Sequence, residues 1–446
     1  MIRKIIYKLA LVLLVVFAAE RGLKPTATVA MEATSAIENS AVREIDSPAG
    51  AGSGEPNLSV GPDGRVYLSW LEPIQPKAYA LKFAVRPKGG NWSTPRTITQ
   101  GENPFDSSIL ALPDGSLVAY WLTKSGPGRH ANDMNLSISR DGGQTWGQPI
   151  VVNRDRTPTE RGFASIVPAN GGIGIVWLKG SMMMDSNSAA MKHGSHDQMS
   201  ADMVRHGADH RHIEGGDRDA SGQMAASKME TSMMYTTIGL DGTIGKEVLL
   251  DSRVCECCQT AAARTPDGIA VVYRDRSEKE VRDISIVRLK NGKWSEPEPL
   301  SKDGWEINGC PVNGPAISPS GKNVAVAWFT AARDKARVYG ALSTDGGVIF
   351  GPKILLGDAN PIGRVDVVAF GSGGAVISWA ERTPGGTEVR ARIVKPDGST
   401  DPPIVVAEAS SGDPRMKMSG DEVVIAWTDS RNTSKVRTAI LSMTGN

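Results

Sequence analysis

The chain has 446 residues, 22 % of them charged, with a net charge of +1 and a pI near 7.7. It is long enough to bury a large core, and the absence of an overall basic field argues against a nucleic-acid partner.

Arg3, Lys4 and Lys8 precede an apolar run from Leu9 to Ala19 that ends in the small residues Ala18 and Ala19. A basic start, a short apolar stretch and a small-residue end make residues 1–19 a secretory signal. The run is too short to cross a bilayer comfortably. Residues 20–40 are polar, unpatterned and rich in Ala, Thr and Glu, and read as a flexible leader. The mature chain is therefore expected outside the cytoplasm, periplasmic or secreted, with no membrane span after cleavage.

Residues 41–446 carry a repeat. PNLSVGPDGRVYLSW ends on Trp70, SSILALPDGSLVAYW on Trp121 and FASIVPANGGIGIVW on Trp177. The unit returns with Tyr273, Trp328, Trp379 and Trp427 at the same place. Each copy is two apolar runs around a Pro/Gly/Asp turn, which is a β-hairpin. The aromatics recur about every 50 residues, with one long gap, a period typical of propeller blades. A third strand, a Gly-containing turn and a fourth strand follow each hairpin: Ala78–Arg86, Gly89–Trp92 and Thr97–Thr99 in the first unit. Four-stranded sheets that are apolar on both faces must stack on one another, and closing the ring covers the ends. The last unit reaches only its third strand, Val436–Met443, so Ala41–Ile45 is expected to supply the fourth. The expectation is an all-β, seven-bladed β-propeller of four-stranded blades.

Ser139-Arg-Asp141-Gly-Gly143-Gln-Thr145-Trp146 is a complete S-x-D-x-G-x-T-W turn, and Ser343-Thr-Asp345-Gly-Gly347-Val-Ile-Phe350 is a degraded one. On these residues and the blade rhythm, the chain resembles the Asp-box, or BNR-repeat, sialidase superfamily over nearly all of its propeller. Members usually have six blades, which makes a six-bladed ring the alternative. The family's N-terminal Arg-Ile-Pro is not found here; Arg43-Glu44-Ile45 stands nearby.

Aligning the hairpin turns at Pro62, Pro113, Pro168, Pro266, Pro319 and Gly371 and stepping back seven residues reaches Glu55, Asp106, Arg161, Gln259, Val312 and Arg364. Arg415 lies near the same level. Such a ring at the channel mouth is either mutually ion-paired or an anion pocket, since arginine forks suit carboxylates. The resemblance implies three arginines on a sugar carboxylate, which Arg161, Arg364 and Arg415 could form. It also implies a Tyr–Glu nucleophile pair, for which Tyr273 is the tyrosine candidate with no glutamate placed beside it by motif, and an Asp acid; Asp106 and Glu55 are the carboxylates of the ring.

The long gap, residues 181–234, loses the strand pattern and fills with methionine and histidine. Met182, Met183, Met184, Met191, Met199 and Met203 accompany His193, His196, His206, His210 and His212. Thioethers suit Cu(I) and imidazoles suit Cu(II), Zn and Ni, so metal capture is set against a merely biased polar insertion. The segment leaves the second strand of the third blade and so emerges beside Cys255, Cys257 and Cys258. The repeat register places Cys310 next to Cys257. In an oxidising compartment the four suggest disulfides Cys257–Cys310 and Cys255–Cys258; the alternative is a soft-metal site.

No H-E-x-x-H, Walker loop or G-x-S-x-G elbow is present. The leading expectation is an extracytoplasmic, non-catalytic ligand-binding propeller that binds or buffers a soft metal, copper first. The alternatives are a sialidase-like exo-glycoside hydrolase acting on sialylated or other acidic glycans, and a scaffold for another periplasmic protein.

Overall fold

The computed structural model describes residues 42–443 apart from 126–130, 156, 158, 181–229 and 409–412. The expected signal and leader, and Met182 to His212 of the insertion, lie outside the described residues. No helix among the described residues is long and apolar enough to cross a membrane.

Seven sheets of antiparallel strands form the blades of a β-propeller. In blade 1 the strands are Gly54–Val60, Val66–Gln75, Ala78–Arg86 and Arg96–Glu102, in that order from the inside outwards. The second strand of each blade is a nearly unbroken apolar run, because neighbouring blades cover both of its faces. Its tryptophan is at most 4 % exposed at Trp70, Trp121, Trp177, Trp328, Trp379 and Trp427. Three of these indoles reach a carboxylate across 2.8–2.9 Å: Trp70 to Glu72, Trp328 to Asp303 and Trp379 to Glu381. The buried N–H is thereby satisfied and the ring position set.

The blades are also stitched by polar side chains on the inner strands. Ser59 accepts from the Ala111 amide at 2.9 Å, Ser318 from Ala369 at 3.1 Å and Asp366 from Met416 at 2.6 Å. Ser165 donates to the Thr260 carbonyl at 2.7 Å.

The ring closes through its two ends. Blade 7 consists of Arg415–Ser419, Glu422–Asp429 and Lys435–Ser442, with Val42–Ile45 as the outer strand. The Thr438 hydroxyl donates to the Ile45 carbonyl at 3.1 Å, and the Val436 amide donates to the Ser53 hydroxyl at 3.0 Å.

Two details depart from the sequence reading. The strand that follows the insertion begins at Thr231, so Met233 and Met234 belong to blade 3 rather than to the Met/His segment. Met233 is fully buried between blades 3 and 4, where the apolar contact outweighs the compositional likeness to the segment before it. The hairpins also come in two lengths. Paired ends enclose five residues in blades 1, 2 and 6 (Val60 with Val66, Ala111 with Leu117, Ala369 with Ala375). They enclose two in blades 3, 4, 5 and 7, as between Ala169 and Gly172. Pro168 and Pro319 therefore lie within strands, opposite Ile173 and Val324, and do not mark the turn.

The complete Asp box closes the third-to-fourth strand turn of blade 2. Asp141 accepts from the Gln144 and Thr145 amides and the Thr145 hydroxyl, and Ser139 bonds Asp141 and the Gly143 amide. The Thr145 hydroxyl foremost holds the Asp141 carboxyl well below the usual carboxylate range. Trp146 then packs edge-on against Phe83 of blade 1, with centroids 5.8 Å apart.

Gly142 and Gly143 both have left-handed backbone, at φ +70° and +83°. A Cβ on Gly143 would lie 2.4 Å from Phe83 Cζ, whereas one on Gly142 would meet nothing within 4 Å. Gly142→Ala is expected to cost about 1 kcal/mol, and Gly143→Ala a further 1–3 kcal/mol or so from overpacking, measured by urea unfolding. Equal costs would show that the Asp-box turn is not pressed against blade 1. A chain beginning at Ser53 lacks the closing strand and is expected to melt at lower temperature and less cooperatively than one beginning at residue 41. Superimposable melting curves would show that the closing strand does not hold the ring.

Candidate metal centre

Blade 4 is approached by the segment Val254–Gln259, which the chain ties down before its inner strand Ala261–Thr265 begins. Val254 forms a bridge with Asp275, the Cys255 amide donates to the Arg274 carbonyl at 3.0 Å, and the Val254 amide donates to the Thr231 carbonyl at 2.8 Å. Thr231 opens the strand that follows the insertion, so the Met/His segment rejoins the propeller directly beside the cysteines.

The sulfurs of Cys255, Cys257 and Cys258 all lie within 4.8 Å of one another. Cys255 is 2.8 Å from Cys258 and 3.7 Å from Cys257. None of the four cysteines is disulfide-bonded; Cys255 and Cys258 are buried, Cys257 is half-buried and Cys310 is exposed. Cys310, on the segment leading to blade 5, donates to Glu256 at 3.9 Å and so stands at the same rim. That segment can come so close because residue 314 is glycine: a Cβ there would sit 2.1 Å from the Gln259 carbonyl oxygen.

A charged frame surrounds the sulfurs. Arg282, 1 % exposed, donates to Cys255 Sγ at 3.4 Å and to Glu256 at 2.9 Å, and pairs with Glu280 at 3.1 Å. Arg276 joins the same two glutamates, at 3.3 Å to Glu256 and 2.9 Å to Glu280. Behind them the buried Arg274 donates to the Asn313, Arg282 and Phe329 carbonyls and stacks on Trp305 at 4.8 Å. Arg276 also lines a cleft of about 480 Å³ shared with Glu230, Asp251, Arg253, Asp275 and Glu278.

The thiols divide into two kinds. Burial opposes a charge on Cys255, but hydrogen bonds from Cys257 and Cys258 together with Arg282 outweigh it and hold that thiol well below its ordinary range. Contact with Cys257 likewise draws Cys310 down. Hydrogen bonding to Cys255 pushes Cys257 up, and burial pushes Cys258 up. The cluster thus favours partial ionisation and resists the rest, the electrostatic condition under which a cation is welcomed.

The channel candidates fare differently. Glu55, Asp106 and Arg364 share left-handed backbone at φ +52°, +48° and +58°, each at a bulge in its inner strand, and Val312 has φ +48°. In blade 3 that conformation belongs to Phe163, at φ +52°, not to Arg161. Arg161 is 1 % exposed and committed to the carbonyls of Asn132, Thr157 and Thr159 and to Asp155. The slip arises at Pro168, which lies inside the strand rather than at the turn, so a count of seven back from it falls two residues before Phe163. Arg364 and Arg415 do come together, on Asp413, at 3.3 and 3.8 Å. Tyr273 is 1 % exposed between blades 3 and 4 and donates to Asp251 at 2.6 Å, and burial foremost pushes its hydroxyl up. It is a core residue with a satisfied hydroxyl rather than a nucleophile facing a ligand.

Arg282, Arg276, Glu256, Glu280 and Asp413 are absent from the sequence-based candidates. The signal for Arg282, Arg276 and Glu280 was a dense charge run, Arg274-Asp-Arg-Ser-Glu-Lys-Glu280-Val-Arg282-Asp, directly after an apolar strand, and Glu256 sits inside the cysteine motif itself.

No family model and no curated protein matches this chain. Similar solved structures include an intramolecular trans-sialidase from Ruminococcus gnavus, 12% identical, with 76% of this chain and 94% of that one covered and a TM-score of 0.46. A Hadza microbial sialidase is 12% identical over 80% of this chain and 73% of that one, with a TM-score of 0.45. A protein of unknown function from Dyadobacter fermentans is 14% identical over 90% and 99%, with a TM-score of 0.44. The β-propeller fold itself rests on the seven sheets and their strand order described above.

Proposed function

We propose that the chain is an extracytoplasmic propeller that binds a soft metal ion, Cu(I) first, at the cysteine rim of blade 4, with the Met/His segment supplying further exchangeable donors. The observation that carries the reading is the convergence of Cys255, Cys257 and Cys258 within 4.8 Å beside the point where that segment rejoins the fold.

The donor set fits. Sulfurs around a tetrahedral ion with metal–sulfur bonds of about 2.3 Å stand about 3.8 Å apart; Cys255 and Cys257 are at 3.7 Å, and Cys255 and Cys258, at 2.8 Å, would part by about 1 Å to take the ion between them. Cys255, Cys257 and Cys258 would hold the ion, with Cys310 in reach as a fourth ligand. All-thiolate sites select soft ions such as Cu(I) and Zn. A bound cation would supply the positive charge that lets Cys257 and Cys258 lose their protons, and Arg282 would offset the remaining negative charge. Thioethers coordinate without losing a proton, so the methionines suit weak, exchangeable Cu(I) binding outside the cytoplasm. The hydrolase reading draws less support, since Arg161 and Tyr273 are both spent on internal bonds.

The test is an anaerobic competition titration with a chromogenic Cu(I) chelator. It compares the wild type, a deletion of Met182–Met229, and the double variant Cys255→Ser/Cys258→Ser. The deletion leaves the strands Gly172–Gly180 and Thr231–Gly239 intact and is expected to lose the weak ions and keep one tight one. The double variant is expected to lose the tight ion, by about two orders of magnitude in affinity or more. Tight binding unchanged in the double variant would overturn the cysteine site, and equal uptake after the deletion would overturn the role of the Met/His segment.

A further inference from the structure

The four sulfurs are ordered by depth as well as by contact. Cys310 is exposed, Cys257 is half-buried, and Cys255 and Cys258 are 1 % and 2 % exposed. The order is also one of neighbours: Cys310 is 3.9 Å from Glu256, the residue before Cys257, while Cys257 is 3.7 Å from Cys255 and Cys255 is 2.8 Å from Cys258. A metal cage needs its ligands to be equidistant from one point. It does not need a chain of contacts running from solvent to core. The innermost pair is also separated as Cys-x-x-Cys, a spacing that lets one short loop close on itself as a disulfide.

We propose that, when metal-free, these cysteines form a thiol–disulfide exchange relay. Exposed Cys310 reacts first with a small-molecule disulfide, and the oxidised bond is passed inward to rest between Cys255 and Cys258. Exchange proceeds by attack of one sulfur on another through a mixed disulfide, so contact between successive sulfurs is what the path requires.

The steps balance. Cys310 attacks R–S–S–R, forming Cys310–S–S–R and releasing the first RSH with the Cys310 proton. Cys257 attacks Cys310, forming Cys257–Cys310 and releasing the second RSH. Cys255 then attacks Cys257, forming Cys255–Cys257 and returning Cys310 to the thiol. Cys258 attacks Cys255, forming Cys255–Cys258 and returning Cys257 to the thiol. Each step breaks one S–S bond and makes one. Overall two cysteine sulfurs are oxidised, two R sulfurs are reduced, and two protons pass to the released thiols.

The framework suits the passage. Arg282, buried and 3.4 Å from Cys255, holds the sulfur at the middle of the chain, while the bond from the Cys255 amide to the Arg274 carbonyl fixes its backbone. Reversal, with a reducing small thiol, would recover all four thiols by the same path.

The test uses the full chain, reduced and stripped of metal, so it does not depend on whether the copper titration succeeds. Oxidised glutathione is added anaerobically, aliquots are quenched with acid and a maleimide, and the modified cysteines are mapped by mass spectrometry. Glutathione is expected first on Cys310, with Cys255–Cys258 as the final disulfide. Cys310→Ser, a change at an exposed position, is expected to slow formation of that disulfide about tenfold or more without changing its identity. Cys258→Ala, or Cys258→Ser if the first folds poorly, is expected to stop the transfer one step earlier, with the disulfide among Cys255, Cys257 and Cys310. Oxidation of Cys310→Ser at the wild-type rate, first modification at Cys255 or Cys257, or failure to form Cys255–Cys258 would each overturn the relay.

Discussion

The inner strand of every blade has a second strand on one side and no strand on the other, so its free edge must be answered by some other group. The ring meets this demand by reaching across from one blade to the next. Ser59, Ser318 and Asp366 each accept a backbone amide of the following blade, and Ser165 of blade 3 donates to the Thr260 carbonyl at the entrance to blade 4. Such a bond forms only when the two blades are docked at the right height and angle. Polar satisfaction and apolar packing therefore become a single event, and no blade is complete without its neighbours. Closure by Val42–Ile45 extends the rule to the two ends of the chain.

A scaffold locked in this way leaves its loops free to differ. The Met/His segment is inserted between adjacent strands of blade 3, and those strands keep pairing residue for residue from Gly172 with Gly239 to Gly180 with Thr231. The cysteines are attached to the same rigid body by other means: a backbone bridge from Val254 to Asp275, and the close approach of Gly314 to Gln259. Blade 4 contributes three sulfurs and the lead-in to blade 5 contributes the fourth. The spacing of the first three is a property of one segment, and only the place of Cys310 depends on how the two blades dock.

The charges around the sulfurs follow the logic of buried ions. Arg282 and Arg276 share Glu256 and Glu280, so each guanidinium has two carboxylates within 3.5 Å and neither side is left uncompensated. Arg274 has no carboxylate partner among these bonds; it is held by three carbonyls and the face of Trp305. This leaves positive character beneath the cysteines, which stabilises sulfur anions whether they bind a metal or exchange a disulfide. Both proposed activities thus draw on one electrostatic arrangement.

The amino-acid sequence by itself determined the blade count, the strand order and the closing strand, because these depend on local period and on the need to cover apolar faces. Trp70 through Trp427 mark second strands wherever they occur, and the truncated last unit demands a partner from the other end. That Cys310 reaches the rim of the other cysteines was also legible, since the repeat carries one blade's lead-in onto the next, and it stands 3.9 Å from Glu256. What only the tertiary structure decided was depth and commitment. Arg161 lost its channel position because Pro168 lies inside a strand of blade 3 rather than at its turn, and sequence spacing cannot distinguish a turn proline from one inside a strand. Tyr273 was assigned to the core by its bond to Asp251, Met233 by burial between two blades, and Arg282 to the sulfurs by the bridge at Val254. Each of these depends on which side chains other blades bring near, and that is set by docking rather than by the order of residues along any one strand.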